Sequence, residues 1–257
     1  MNSSRYHRRI AVLVLILLAP LAYLLLLYGP IPQAKGYHLF ADARTCLGVN
    51  NFGNVASNIA FLLVGLTGCW WCVARMERAS GGARVAWLVF FIGVTLTFAG
   101  SSYYHLKPDD DRLVWDRLPM TLAFVGLFAA LLSEHIGEGV ERGLLWPGLV
   151  VGIGSVWWWR YADDLRLYGW VQGAPLLAIP FVVAMFPARY THRVYLLYGL
   201  GFYVLAKALE FYDQALFDVT AQWISGHSLK HLLAAVAPLI LLVMLMRRAE
   251  QPRYEKT

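Results

Sequence analysis

What most constrains this chain is the recurrence, from one end to the other, of apolar runs about as long as a bilayer is thick. They fall at 10–28, 55–74, 85–104, 114–132, 144–159, 168–186, 194–211 and 229–246. Roughly 20 apolar residues in a helix cross the ~30 Å hydrocarbon layer. In hydrocarbon every backbone amide must find its partner inside the chain, so runs of this length are expected to be helices. The expectation is an all-α, polytopic membrane helical bundle. Composition agrees, since 59% of the 257 residues are hydrophobic and 15% are charged, against about 25% charged in soluble domains.

The first run follows Arg5, Arg8 and Arg9, and a basic start before a Leu-rich stretch is also how a signal peptide begins. Its apolar core is too long for one, and no clear small-x-small cleavage site comes before Gly29-Pro30, so a retained anchor is expected. The organisation expected is a cytoplasmic tail with an extra N-terminal transmembrane anchor over 1–35, a seven-helix domain over 36–247 and a C-terminal cytoplasmic tail over 248–257. Connections are short, and no linker, repeat or low-complexity segment marks a second domain.

Basic residues near helix ends orient such a bundle. Arg5, Arg8, Arg9, Arg75, Arg78, Arg84, Arg142, Arg189, Arg193, Arg247, Arg248, Arg253 and Lys256 fall on one side. That side is read as the cytoplasm, with both termini on it. Asp42, Asp109, Asp110, Asp111, Asp116, Asp163, Asp164, Asp213 and Asp218 then all lie on the other side. In a soluble chain an excess of 22 Lys and Arg over 16 Asp and Glu would raise the question of nucleic acid. Here the excess orients helices, so a membrane and not a nucleic acid is the partner it implies. Cys46, Cys69 and Cys72 form no metal pattern, because the C-x-x-C pair lies in an apolar, Trp-flanked helix with no second pair.

One connection is unlike the rest. From Ser101 to Met120 the chain closes one apolar run, turns through a proline and three aspartates, and opens the next. Ser101, His105 and Asp116 stand at those adjoining ends, where ionisable groups point to function. Far along the chain, Gly226-His227-Ser228-Leu229-Lys230-His231 begins the last run on the same side. His227 and His231, four apart, share a helix face. Three imidazoles with one position open form the ligand set of a catalytic zinc. Interfacial histidines, or polar contacts between helices, are the plainer alternative. Asp116 could take a proton from a metal-bound water or orient an imidazole, and could equally cap its helix. Ser101 could donate to an oxyanion or bond back to the preceding turn.

Other polar groups gather at the same level. Asn51, Asn54 and Asn58 recur at helical spacing before the second run and could bond the site, cap the helix or bridge helices. Lys207, Glu210 and Asp213 are expected to share a face, with Lys207 and Glu210 neutralising one another. Asp164, Arg166, Tyr168 and Gln172 form a further polar set, and Trp157, Trp158 and Trp159 read as an interfacial belt.

With these residues in hand, the chain resembles the alkaline ceramidase family, in the superfamily of seven-span proteins that includes the adiponectin-type receptors. The resemblance rests on Asn54-Val55-Ala56-Ser57-Asn58, on Ser101-x-x-x-His105 with Asp116, and on the Gly226 to His231 element. It implies a zinc amidase of a bacterial inner membrane, its site on the extracytoplasmic side, cleaving the N-acyl bond of ceramide-like lipids. His105, His227 and His231 would bind zinc, Asp116 would act on water and Ser101 would assist. The acidic calcium site of eukaryotic members is incomplete: Asn51 stands where glutamate is expected, and Asp42 is the one remaining candidate upstream. Two other readings stay open: a non-enzymatic lipid receptor with structural zinc, and a transporter using the charges on the seventh run.

Overall fold

The computed structural model describes residues 3–76, 83–137 and 139–251. Arg78, Arg253 and Lys256, used above to orient the bundle, lie outside the described residues. The described chain is mostly helical, without a named strand: α1 (Ser3–Leu26), α2 (Phe52–Ser57), α3 (Ile59–Ala74), α4 (Arg84–Leu106), α5 (Asp110–His135), α6 (Gly139–Ala162), α7 (Arg166–Met185), α8 (Tyr195–Phe211), α9 (Asp213–Val219) and α10 (Gly226–Arg247).

Every expected apolar run is helical. Six elements are long and apolar enough to cross a membrane: α1, α2 with α3, α4, α5, α7 and α10. The other two expected spans fall short of that standard. Helix α8 has 17 residues. Helix α6 is long enough, but Trp146, Pro147, five glycines and Trp157 to Trp159 dilute its hydropathy. The second run is also not one helix: it breaks at Asn58, whose side-chain amide donates to the Asn54 carbonyl at 2.9 Å.

Helices α4 and α5 form an antiparallel hairpin at the centre, with α3 and α10 on one side and α6 and α7 on the other. Close approach sets its register. A side chain at Gly100 would meet the Trp115 carbonyl oxygen, so only glycine lets the site end of α4 lie against α5. Small residues let membrane helices pack in this way. Helix α1 packs on α7, where Trp170 Nε1 donates to the Leu17 carbonyl at 3.0 Å. The last carbonyls of α1 lie beside Arg166, which donates to Leu24 (3.0 Å) and Tyr28 (2.7 Å) oxygens, a cation where a helix C-terminus favours one.

Polar groups collect at the two ends of the bundle. One end carries Glu134, which accepts from Trp87 Nε1 and from Arg248, both at 2.7 Å. The other end carries the three histidines.

Candidate metal centre

Local chemistry fixes where each helix of the site begins. Pro108 follows the end of α4, and Asp109 then caps α5, its Oδ1 accepting from the Arg112 amide at 2.7 Å. Asp116 is therefore not the cap of this helix; it stands in the second turn, half-buried. Ser225 caps α10 by accepting from the Ser228 amide at 3.1 Å. Gly226 follows, and a Cβ there would meet the Leu209 carbonyl and lie 2.8 Å from Asp213 Cα. The absent side chain lets α10 start against α8 and α9, with His227 turned inward. Asp213 holds this corner, accepting from the His227 amide at 2.7 Å and the Ala41 amide at 2.9 Å.

His105, from the last turn of α4, meets His227 and His231, from the first turns of α10. Their ring centroids are 4.9, 5.0 and 4.8 Å apart. All three rings are buried. One nitrogen from each lies within 4.8 Å of the others, the one such His, Cys, Asp or Glu group of three or more among the described residues. Hydrogen bonding within the group is incomplete, and the outside partner of His227 Nε2 is the Lys230 ammonium at 3.0 Å. His105 Nε2 faces His227 Nε2 at 3.3 Å, and His105 Nδ1 is buried without a partner. His231 is held from behind, its Nδ1 2.9 Å from Ser57 Oγ and 3.1 Å from the Asn54 carbonyl oxygen. That fixes Nδ1 as the protonated nitrogen and frees Nε2 as a ligand. Buried ring nitrogens converging on one point can share a cation, so these three histidines can hold a metal ion.

Beside the triad opens a cavity of about 380 Å³ whose wall includes His231, Ser101, Asp116, Lys207, Glu210 and Lys230. Ser101, one turn deeper than His105, lines the same wall as Asp116. Away from the histidines the wall turns apolar, through Phe90, Leu127, Ile179, Leu196 and Leu241. From Ser101 to Phe90 along α4 is about 16 Å at ~1.5 Å per residue. Phe40, from the segment before α2, lies edge-on to His105 (4.7 Å) and His227 (4.5 Å) and shields them.

Several expected polar sets are rearranged. Lys207 pairs with Glu210 as expected. Asp213, however, does not extend their face, because α8 ends at Phe211 and Asp213 opens α9. The second partner of Glu210 is Lys230, at 2.8 Å. Trp157 and Trp158 are exposed, but Trp159 is buried with the Arg117 guanidinium 3.8 Å from its ring, so it belongs to the interior and not to a belt. Asp164 and Arg166 form a buried ion pair at 2.7 Å, which holds the Asp164 carboxyl well below its ordinary value.

The amides turn out to be braces. Asn51 Nδ2 donates to the His105 carbonyl at 2.8 Å, and Asn54 Oδ1 accepts from Ser228 Oγ at 2.9 Å. They join α2 to the helices that carry the histidines. Asp42 is buried, and both its oxygens accept from Arg44 at 2.7 Å, which depresses its pKa. Phe40, Ser57 and the contact between Lys230 and Glu210 were not expected as parts of the site. Compared with protein-family models and with curated proteins, the chain matches none.

Proposed function

We propose that the chain is a zinc-dependent membrane amidase that cleaves the N-acyl bond of a ceramide-like lipid. The supporting observation is the junction of two features: three buried imidazoles that can share one ion, and a cavity beside them, polar at that end and apolar beyond. For tetrahedral zinc with Zn–N near 2.0–2.1 Å, ligand nitrogens sit roughly 3.3 Å apart. The 3.3 Å between His105 Nε2 and His227 Nε2 fits that edge. No fourth His, Cys, Asp or Glu joins the group among the described residues, which favours an open catalytic position over the closed four-ligand site of a receptor with structural zinc.

A zinc ion held by His105, His227 and His231 would supply Lewis acidity and a water acidified toward about pH 7. The chain's own groups do the rest. Asp116 takes a proton from the attacking water as the water oxygen bonds to the amide carbon. The same carboxyl returns that proton to the nitrogen as the C–N bond breaks, giving a fatty acid and an amine. The acyl chain lies along the apolar cavity, whose ~16 Å depth matches one leaflet of a hydrocarbon layer about 30 Å thick. On the reading of orientation given above, the site faces the extracytoplasmic side.

The test is lipid mass spectrometry of N-acyl sphingoid substrates incubated with purified wild type and His231→Ala. A matched fatty acid and amine should appear with the wild type alone, vanish on chelation and return with zinc. Turnover indifferent to chelation, or retained by the variant, would remove this function.

A further inference from the structure

The cavity wall sets Arg117, Lys207 and Lys230 against Asp116 and Glu210, so cations are in excess before any metal is counted. One carboxylate, Glu210, serves two ammonium groups. Lys230 is the cation nearest the triad. Its Nζ lies 2.8 Å from Glu210 Oε1 and 3.0 Å from His227 Nε2; once that nitrogen is given to a metal, Glu210 is the remaining partner and two of the ammonium's three donors are open. It opens the second turn of α10, near the end where the helix dipole favours negative charge. Beyond it the wall is apolar for the depth of a lipid chain.

An anionic end joined to a long apolar tail satisfies both halves of this cavity. We propose that Lys230, tethered by Glu210, is the binding site for the carboxylate of a long-chain fatty acid. The Glu210 tether fixes the ammonium at the polar end, so the carboxylate docks beside the histidines and the tail runs toward Phe90 and Leu241. The assignment deepens the amidase reading, on which it rests, because one product of amide cleavage is such an acid. Lys207, whose side chain is 55% exposed, adds charge from farther out but has less burial to hold a ligand.

The experiment measures binding of a long-chain fatty acid and of the matched fatty alcohol to the full-length chain in zwitterionic nanodiscs. It is run as purified and after chelation, with zinc content recorded. After chelation the wild type should prefer the acid by about tenfold or more, the scale of one charge-assisted hydrogen bond. Lys230→Met should abolish the preference while leaving alcohol affinity unchanged, and Lys230→Arg should keep it. Absence of acid preference in the wild type, or its survival in Lys230→Met, overturns the proposal. A chain without zinc or turnover that still prefers acids through Lys230 would sink the amidase reading and leave this site standing. An active zinc amidase with an indifferent Lys230→Met variant would do the reverse.

Discussion

Ser57→Ala tests how His231 is held. The hydroxyl lies 2.9 Å from His231 Nδ1 and itself donates to the Asn54 carbonyl at 3.0 Å. The variant removes one acceptor from a buried imidazole and leaves the other, the Asn54 oxygen at 3.1 Å. A net hydrogen bond is worth about 0.5–1.5 kcal/mol, and loss of a partner behind a metal-bound histidine typically costs 10–100-fold in affinity. Because Asn54 remains, the expected loss is near the low end, about tenfold, or ~1.4 kcal/mol. Competition against a chromophoric chelator in detergent at neutral pH reads it directly. The chelated variant should melt within a few degrees of the chelated wild type, since only a hydroxyl is lost. Zinc affinity unchanged within twofold would mean that Ser57 does not orient His231. Complete loss, as in His231→Ala, would mean that the site collapses and the hydrogen-bond argument is wrong.

Three further outcomes follow from the same geometry. Asp116→Asn should retain zinc and lose about 10²–10⁴ in turnover, the usual weight of a general acid–base group; undiminished turnover would remove Asp116 from the chemistry. Arg166→Leu strands the buried Asp164 carboxylate and frees the end of α1, so thermal denaturation should register a loss of about 3–5 kcal/mol. The double variant Asp164→Asn with Arg166→Leu should be milder, and equal damage would contradict the ion-pair account. Asp42 has its pKa lowered by Arg44, so it stabilises the fold above its unfolded value near 3.9 and loses that contribution as pH falls through the folded one. The stability gap between wild type and Asp42→Asn should therefore be full at neutral pH and close below about pH 4, and a gap that widens with acid would reverse the sign.

The helical course of the chain was legible because hydrocarbon leaves the backbone few choices. The meeting of the three histidines was legible too: His227 and His231 share a face, and an alternating topology brings the end of α4 to the level of the start of α10. What resisted reading depends on contacts set by tertiary packing. Asp109 and Asp116 are both aspartates near a helix start, and only the bond to the Arg112 amide identifies the cap. Asp213 was expected to prolong the face of Glu210, but the chain breaks after Phe211, and Lys230 from α10 takes the second place beside Glu210. Ser57 reaches His231 across 174 positions of sequence, and Phe40 belongs to an irregular segment with no period to betray its target. Trp159 differs from Trp157 and Trp158 only in the face it presents, which turned on the position of Arg117.

The account rests on a metal ion bound by His105, His227 and His231 with one position left for water. X-ray absorption at the zinc edge of the purified full-length chain tests it most directly. It should show one zinc per chain with three imidazole nitrogens and one oxygen at about 2.0–2.1 Å, and zinc should be absent from His227→Ala. Zinc bound through sulfur or carboxylates alone, or retained in full by that variant, would contradict the account.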